Sequence, residues 1–272
     1  MRAHRSESPT SIAPSSADGP PSASPRLYYD LAHLWPILSP PEDYVTEAAG
    51  IRAVLHETLG PARPDKRHSI LELGTGGGHT LHHLCREFDC VAVDLSEAML
   101  DNARRLNPNV QHHVGDMRTF RMDRTFDAVL VHDAIDYMTT EDDLLVVFAT
   151  AEAHLRTGGI LILAPTEVAE TFEDHAVEHD HNVEGELCVT YATYQHDPDP
   201  TDTTVESVMV YFLRDHGRLR VEVDRHTLGL FTTDTWMTLL DQAGFDASLR
   251  QLTNGQSPHD RQYAGLFVGV LR

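Results

Sequence analysis

The stretch SILELGTGGGHTLHHLCREFDCVAVDLSEAM, residues 69–99, decides the fold of this chain. It opens with a short apolar run, continues with glycines at 74, 76, 77 and 78, and closes with an apolar run that stops at Asp94. This pattern predicts a strand, a glycine turn, a helix over about 79–87 and a strand over 90–93. Such a unit forms a nucleotide-sized crevice where two parallel strands end, because glycine lets backbone approach a ligand.

Strands and helices keep alternating after this unit. Ser96 predicts the cap of a helix that reaches about Leu106, and apolar runs at 128–131 and 160–165 predict buried strands. A helix is predicted between those runs, and a further helix over 234–243 precedes two last strands, DASLRQL and YAGLFVGVL. The sequence therefore predicts an α/β fold in which helices cover both faces of a parallel sheet.

Composition narrows the classes of partner. The 272 residues carry 21 basic and 42 acidic side chains, a net charge of −21, which disfavours nucleic acid and anionic membrane surfaces. No run approaches the roughly 20 apolar residues of a membrane span, and the three cysteines form no CxxC pair. We expect a cytoplasmic protein, monomeric or homodimeric, that acts on a small molecule.

The chain divides into three predicted parts. Residues 1–25 are rich in Ser, Pro and Ala and predict a disordered tail. Residues 26–165 and 227–272 form the core with N-terminal lid helices, in which Tyr28, Tyr29 and Trp35 either pack or cover the crevice. Residues 166–226 predict an antiparallel β insert, because LCVTYATYQ, VESVMVYFLR and RLRVEVDRHT alternate with a period of two.

The insert region is strongly acidic. Between Thr157 and Leu213 there are twelve acids and no Lys or Arg, so one hypothesis is an acidic lid that attracts a cationic acceptor, and the other is a solvated face. The segment EDHAVEHDHN adds His175, His179 and His181, which could bind zinc on one helix face or belong to a mobile acidic loop. We predict the mobile loop and no metal.

The glycine turn fails the test for a dinucleotide site. That fingerprint is G-x-G-x-x-G, whereas the glycines here are spaced two and two and position 79 is His. The pattern E-x-G-x-G-x-G, from Glu72 to Gly78, suits a ligand with a ribose and an amino-acid tail. Asp94 can accept hydrogen bonds from ribose hydroxyls. An acid at Gly115-Asp116-Met117 can accept from an adenine amino group, and the methionine can cover its face.

With these motifs in place, the chain resembles the class I S-adenosylmethionine-dependent methyltransferases. The segments that carry the likeness are ILELGTGGG (70–78), VAVDLSEAML (91–100), HHVGDMRTF (112–120), FDAVLVHDAIDYM (126–138), LRTGGILIL (155–163) and FTTDTWMTLLDQAGF (231–245). The resemblance implies a Rossmann-like, doubly wound, mostly parallel seven-stranded sheet whose last strand is antiparallel, and S-adenosylmethionine as cofactor. It implies that the donor contacts Glu72, Gly74, Thr75, Gly76, Gly78, Asp94, Leu95, Met99, Gly115, Asp116, Met117, His132, Asp133 and Tyr29.

The chain is also similar to bacterial N,N-dimethyltransferases that act on aminosugars in natural-product pathways. YDL (29–31), GDMR (115–118), HTLGLFTTDTW (226–236) and a β insert after the fifth strand carry this likeness. Those enzymes hold a histidine near the acceptor after the fourth strand, and the corresponding position here is Tyr137. Tyr137, His132 and Asp133 are the candidate bases at the end of this strand, and we favour Tyr137 and His132 as catalytic residues. The alternative is that these side chains orient the donor or only end the strand.

The reaction implied is transfer of an activated methyl group to O or N of a small molecule. Positioning supplies much of such a rate enhancement, and a base is needed only where the nucleophile must lose a proton. Two alternatives stay open from the sequence. The chain could bind S-adenosylmethionine without transfer, or it could be a nicotinamide-dependent oxidoreductase, which the glycine spacing disfavours.

Overall fold

A computed structural model of the protein describes residues 25–62, 66–251 and 265–272. Its strands are β1 Ser69–Leu73, β2 Asp89–Asp94, β3 Gln111–Val114, β4 Phe126–His132, β5 Leu155–Ala164, β6 Val177–Glu184, β7 Leu187–His196, β8 Thr204–Asp215, β9 Arg218–Gly229, β10 Phe245–Arg250 and β11 Leu266–Leu271. Seven of them form one sheet in the order β3-β2-β1-β4-β5-β11-β10. Strand β11 runs antiparallel to both of its neighbours, and the other pairs are parallel. The predicted fold is confirmed.

Helices cover both faces of this sheet. They are α1 Trp35–Leu38, α2 Val45–Leu59, α3 His79–Leu84, α4 Glu97–Leu106, α5 Glu141–His154 and α6 Thr233–Gln242. Helices α5 and α6 bury Phe148 and Trp236 against one face. Helices α2 and α3 bury Ile51 and Leu81 against the other. On each face, packing against the sheet removes the apolar side of the helices from water. This burial is the main term that stabilises such a fold.

Hydroxyl caps start three of these helices. Ser96 accepts a hydrogen bond from the Met99 amide at 3.2 Å, as predicted, and Thr232 accepts from the Thr235 amide at 3.0 Å. Thr140 begins α5 in the same way. Such caps satisfy amides that have no partner within the helix, and each is worth about 1 kcal/mol.

The chain reverses its winding direction between β1 and β4. Strands β2 and β3 are added on one side of β1, and β4 and β5 on the other, so the carboxyl ends of β1 and β4 lie side by side with no crossover above them. Ligands of doubly wound sheets bind at this reversal point. The glycine turn follows β1 and a 3-10 turn, Asp133–Tyr137, follows β4, which puts both segments at this edge.

The insert is a second, four-stranded antiparallel sheet in the order β6-β7-β8-β9. It spans Val177 to Gly229 and lies against the N-terminal segment, which we define as residues 25–44. Leu27, Leu31 and Leu34 of that segment form a third apolar core with Val189 and Tyr211 of the insert. The insert and the N-terminal segment therefore hold each other over the carboxyl edge of the main sheet.

Two sequence predictions need correction. The helix expected over 79–87 ends at Leu84, because a turn after it folds Phe88 back into the apolar core with 3% exposure. The segment expected to be a mobile acidic loop contains strand β6, which pairs with β7 over eight residue pairs. An edge strand exposes charged side chains, so it shows no period-two apolar pattern in the sequence.

The predicted tail, residues 1–25, lies outside the described residues except for Pro25. Over the ranges that the structure covers, no helix is both long and apolar enough to cross a membrane. His179 and His181 lie on strand β6, and His175 precedes it, so these histidines do not share a helix face. In the described part of the chain, no group of three or more His, Cys, Asp or Glu side chains has an arrangement that could hold a metal ion.

Candidate active site

A cavity of about 430 Å³ opens at the winding reversal. The glycine turn, the end of β2, the segment after β3, the 3-10 turn after β4 and the N-terminal segment form its walls. Thirteen of the residues singled out from the sequence line it: Tyr29, Glu72, Gly74, Thr75, Gly76, Asp94, Leu95, Gly115, Asp116, Met117, His132, Asp133 and Tyr137. Gly78 lies behind this wall as the cap of α3, and Met99 is buried on α4 with 1% exposure.

The glycine turn has a backbone shape that side chains would obstruct. Gly74 has φ +76°, and a Cβ added there would lie 2.3 Å from Ala134 Cβ and 2.9 Å from the Met117 methyl. Gly76 has φ +53° and donates its amide to Asp94 Oδ2 at 2.7 Å. Gly74 needs glycine for both conformation and space, and Gly76 needs it for conformation, so the turn presents bare backbone to the cavity.

Asp94 ties the turn to the next helix. Its Oδ1 accepts the Ser96 amide at 2.8 Å and its Oδ2 accepts the Gly76 amide. Burial raises the pKa of Asp94, although the hydrogen bonds from these amides act to lower it. A carboxylate has about four acceptor positions, so two backbone bonds leave room for two hydroxyl donors of a ligand.

The cavity floor holds a second buried acid. Glu72 on β1 is 1% exposed and accepts a hydrogen bond from the Thr75 hydroxyl. Burial raises the pKa of Glu72 to about 7. Near neutral pH this carboxyl is thus balanced between its neutral and charged forms, and a cation bound above it would favour the charged form.

The segment after β3 is held by a local ion pair. Arg118 Nη2 lies 2.7 Å from Asp116 Oδ2, and hydrogen bonds from Arg118 lower the pKa of Asp116. The Met117 methyl lies close beside Gly74, and Leu95, which also lines the cavity, remains 57% exposed. Leu95 and Met117 thus give the cavity apolar lining, and the Asp116 carboxylate lines it as well.

His132 ends β4 inside a buried ion pair. Its Nε2 pairs with Oε1 of Glu47 from α2 and lies 3.3 Å from Asp133 Oδ1. Burial opposes the charged form of His132, but the carboxylates of Asp133 and Glu47 outweigh this effect and raise its pKa above the ordinary value. The imidazole is therefore cationic at neutral pH. The sequence does not predict Glu47 as a site residue, because a single acidic residue on an amphipathic helix is normally exposed to solvent.

Tyr137 joins a polar chain in the cavity wall. Its hydroxyl lies 3.0 Å from the Tyr28 hydroxyl and 2.6 Å from Nδ1 of His226, whose Nε2 lies 3.0 Å from Asp224 Oδ2. Burial raises the pKa of Tyr137 well above its ordinary value. His226 and Asp224 were not predicted as site residues, although His226 opens the HTLGLFTTDTW motif and period-two alternation puts both on one face of β9.

The N-terminal segment closes the cavity through its backbone. The Ser96 hydroxyl donates to the Tyr28 carbonyl, and Asn102 Nδ2 donates to the Ala32 carbonyl at 2.8 Å. Trp35 donates from Nε1 to His79 Nδ1 at 3.2 Å and stacks on that ring. The aromatic residues of this segment thus both pack and line the cavity. The two alternatives that the sequence left open, packing and covering the crevice, therefore both apply.

The acids of the insert do not line the cavity. Over residues 166–226, all of which the structure describes, the cavity is lined by Thr166 and Met209. The acidic side chains that line the cavity come from the core instead: Glu72, Asp94, Asp116, Asp133 and Asp136. The acidic lid can therefore act on an acceptor only through its long-range field.

These features fit S-adenosylmethionine: bare backbone at the glycine turn, free acceptor positions on Asp94, and the apolar side chains of Leu95 and Met117 in the cavity lining. Residues 70–159 match a family model described as a methyltransferase domain. A dTDP-3-amino-3,4,6-trideoxy-alpha-D-glucopyranose N,N-dimethyltransferase of Streptomyces venezuelae is 32% identical over 232 residues, 84% of this chain and 92% of the relative. The chain belongs to the S-adenosylmethionine-dependent methyltransferases.

Solved structures agree with this membership. A sugar N-methyltransferase from Streptoalloteichus superposes with a TM-score of 0.74 at 29% identity, covering 99% of this chain and 100% of that one. An amino pentose methyltransferase from Micromonospora echinaspora, solved with S-adenosylmethionine bound, superposes at 0.69 and 27% identity over 83% and 90%. The methyltransferase is thus an enzyme that uses S-adenosylmethionine, and membership decides against the two alternatives that the sequence left open.

Proposed function

We propose that this methyltransferase methylates the amino nitrogen of an aminosugar. The observation that carries the proposal is the pair of hydroxyls of Tyr28 and Tyr137, 3.0 Å apart, in a cavity whose charged lining is mostly carboxylate. Such a wall attracts an ammonium group and offers it hydrogen bonds. Relatives in Streptomyces venezuelae, Saccharopolyspora spinosa and Streptomyces fradiae are named as N,N-dimethyltransferases of amino-deoxy sugars, which supports the same acceptor class.

The donor would be held by the residues around the glycine turn. Backbone at Gly74 and Gly76 would contact its amino-acid tail, Asp94 its ribose hydroxyls, and Met117 with Leu95 its adenine. When bound, this group supplies a methyl on a sulfonium that needs no further activation. The protein's task is therefore to orient a nucleophile and to exclude water, and orientation alone can supply several kcal/mol of the barrier reduction.

Tyr137 is the better of the two candidate catalytic residues. A cationic imidazole has no free lone pair, so His132 between Glu47 and Asp133 cannot accept a proton at neutral pH. The Tyr137 oxygen keeps a lone pair that can accept an N–H of the acceptor. We assign to His132 an electrostatic and positioning role and to Tyr137 the contact with the amine.

An acceptor panel tests this function. Purified protein is incubated with S-adenosylmethionine and with matched pairs of an aminosugar and its hydroxyl analogue, both free and attached to dTDP, and products are identified by mass spectrometry. We expect one or two methyl groups on amino compounds and none on the hydroxyl analogues. Methylation of the hydroxyl analogues at equal rates would contradict the proposal. Repeating the assay over a range of salt concentrations isolates the long-range effect of the acidic insert.

Replacing Tyr137 by phenylalanine should slow methyl transfer about 100-fold, because the change removes one hydroxyl that orients and deprotonates the amine. The affinity for S-adenosylmethionine should stay unchanged, which calorimetry checks. Tyr194→Phe is the matched control. Tyr194 also bonds a histidine, with its hydroxyl 2.6 Å from His175 Nδ1, but on the exposed insert. Equal rates for both variants would remove Tyr137 from the acceptor site.

A further inference from the structure

Asp224 and His226 lie side by side on the inner face of β9, beneath the cavity wall. Asp224 is 2% exposed and His226 is 5% exposed. A buried carboxylate is costly unless it is hydrogen-bonded. Here it accepts the Arg26 amide at 3.0 Å on Oδ1, the Leu27 amide at 2.7 Å on Oδ2, and His226 Nε2 on Oδ2.

These bonds fix which nitrogen of His226 donates to Asp224. An ionised carboxylate only accepts, so Nε2 of His226 carries the proton that points to Asp224. The Tyr137 hydroxyl has one proton and two acceptors within reach, the Tyr28 hydroxyl at 3.0 Å and His226 Nδ1 at 2.6 Å. When the imidazole is neutral, Nδ1 accepts, and the Tyr137 proton turns to it across the shorter distance. In that state the lone pairs of the Tyr137 oxygen are left for donors on the side where Tyr28 and the cavity lie.

We propose that Asp224 and His226 form a positioning pair that lets Tyr137 take the proton of the acceptor ammonium before methyl transfer. This inference rests on the proposed function. Neither residue contacts the acceptor, and both act through the Tyr137 hydroxyl. The arrangement places a carboxylate, an imidazole and a hydroxyl in the same order of bonds as in hydrolase triads, with a phenol in place of the serine.

The proton balance of the step is simple. The ammonium N–H bond breaks as its proton moves to the Tyr137 oxygen, while the Tyr137 proton moves to His226 Nδ1. The products are a neutral amine and an imidazolium beside the Asp224 carboxylate. The amine lone pair then forms the new bond to carbon, and solvent later receives the proton held by His226. Tyr137 gives up a proton as it gains one, so no phenolate is required.

The ionisation of Asp224 suits this role. Burial opposes the charged form, but the hydrogen bonds from His226 and from the Arg26 and Leu27 amides outweigh it and lower the pKa of Asp224. The carboxylate is therefore available to stabilise an imidazolium. Because two of its donors belong to the N-terminal segment, the pair is complete only when that segment covers the cavity.

His154 is another buried histidine, and its contacts are those of a residue with a purely structural role. His154 is 0% exposed, and it bonds backbone through both nitrogens, to the Thr150 carbonyl at 2.8 Å and the Met122 amide at 3.1 Å. Its bonds stay within the core, on α5 and the loop before β4. The bonds of His226 lead instead to a hydroxyl that lines the cavity.

The charged and titratable groups around His226 come from three elements. Asp224 faces it from β9, Tyr137 from the turn after β4, and Tyr28 from the N-terminal segment. Further out, Glu222 on the same strand is neutralised by Arg26 at 2.9 Å. Asp136 beside Tyr137 accepts the Thr166 amide at 3.1 Å, and burial raises its pKa to about 8.

The first test reads the imidazole directly and needs no acceptor. Nitrogen-15 NMR of histidine-labelled full-length protein should show His226 with its proton on Nε2 and an unprotonated, hydrogen-bonded Nδ1. His226→Gln identifies the signal. A ring protonated on Nδ1 alone would overturn the proposal, because the Tyr137 hydroxyl could then not donate to it.

The second test measures rates with His226→Gln, which can still accept a hydrogen bond from Tyr137 but cannot take a proton. At a pH below the pKa of the acceptor amine, kcat should fall about 100-fold. The deficit should shrink as the pH rises through that pKa, since the amine is then already neutral. Affinity for S-adenosylmethionine, measured by calorimetry, should not change, which also shows that the variant is folded.

His175→Gln is the matched control, because His175 bonds Tyr194 across the same 2.6 Å on the exposed insert. It should keep the wild-type rate and pH profile. An active wild type with a His226→Gln deficit that is absent, or equal at every pH, would overturn the positioning role. A wild type that methylates no amine would refute the proposed function instead, while the NMR result still reports on the pair.

Discussion

Gly74→Ala should lower the affinity for S-adenosylmethionine about 100-fold. The added methyl would lie 2.3 Å from Ala134 Cβ and 2.9 Å from the Met117 methyl, and Ala134 belongs to a backbone turn that cannot give way. The residue would also keep φ +76°, which costs a side chain about 1–2 kcal/mol. The steric overlap adds about 1–3 kcal/mol. The glycine turn can relieve the overlap and the backbone strain only by moving out of the conformation that binds the donor. A loss of about 3 kcal/mol corresponds to two decades of affinity.

The variant Gly185→Ala separates the effect of backbone strain from the effect of steric overlap. Gly185 has φ +59° in the turn between β6 and β7, and an added Cβ would meet no atom within 4 Å. It should lose about 1 kcal/mol of unfolding free energy from backbone strain and keep its donor affinity. Calorimetry with S-adenosylmethionine and thermal denaturation measure both quantities. Equal donor affinities for the two variants would mean that the turn at Gly74 does not hold the donor.

The glycine turn was predictable because its signals are local. Four glycines, two apolar runs and Asp94 fall within 31 residues, and each constrains backbone conformation or strand burial by itself. The Ser96 cap belongs to the same class of signal, since it acts on an amide three residues away. The parallel sheet with helices on both faces followed from the alternation of strands and helices, and the antiparallel last strand from the family resemblance.

The polar chain at Tyr137 was not predictable, because its parts are distant in sequence. Tyr137 and His226 are 89 positions apart, and Tyr137 and Tyr28 are 109 apart. On β9, alternating charges predict a solvated face, and nothing local shows that Asp224 is covered by the Arg26 and Leu27 amides. Only the packing of the insert on the N-terminal segment turns these polar residues into a buried group.

The surroundings of His132 and Tyr137 in the structure also decide between two residues that the sequence proposes as catalytic. His132 was a candidate base on the grounds that it ends a buried strand. The structure surrounds it with the carboxylates of Glu47 and Asp133, and a cation between two acids cannot serve as a base. We propose Tyr137 for this role because its oxygen retains a lone pair. A pKa depends on three-dimensional surroundings, so residue type and spacing could nominate both side chains but could not choose between them.

Glu47→Ala should lower the free energy of unfolding by about 3 kcal/mol at neutral pH. The change leaves the buried, charged imidazole of His132 with Asp133 as its remaining near carboxylate, and removing one partner of a buried pair costs about 3–5 kcal/mol. Glu57→Ala on the same helix is the control. Glu57 is 66% exposed and 3.4 Å from Arg250, and such pairs contribute under about 1 kcal/mol.

The pH dependence gives this prediction its sharpest test. The folded-state pKa of His132 is raised, so the stability that its charge gains from Glu47 is fully present below the unfolded-state pKa of about 6.5. It is lost as the pH rises through the raised folded-state pKa. The stability difference between wild type and Glu47→Ala, measured by urea unfolding, should therefore narrow at alkaline pH. A difference that stays constant with pH would show that Glu47 contributes by packing alone, with a neutral His132 beside the donor site.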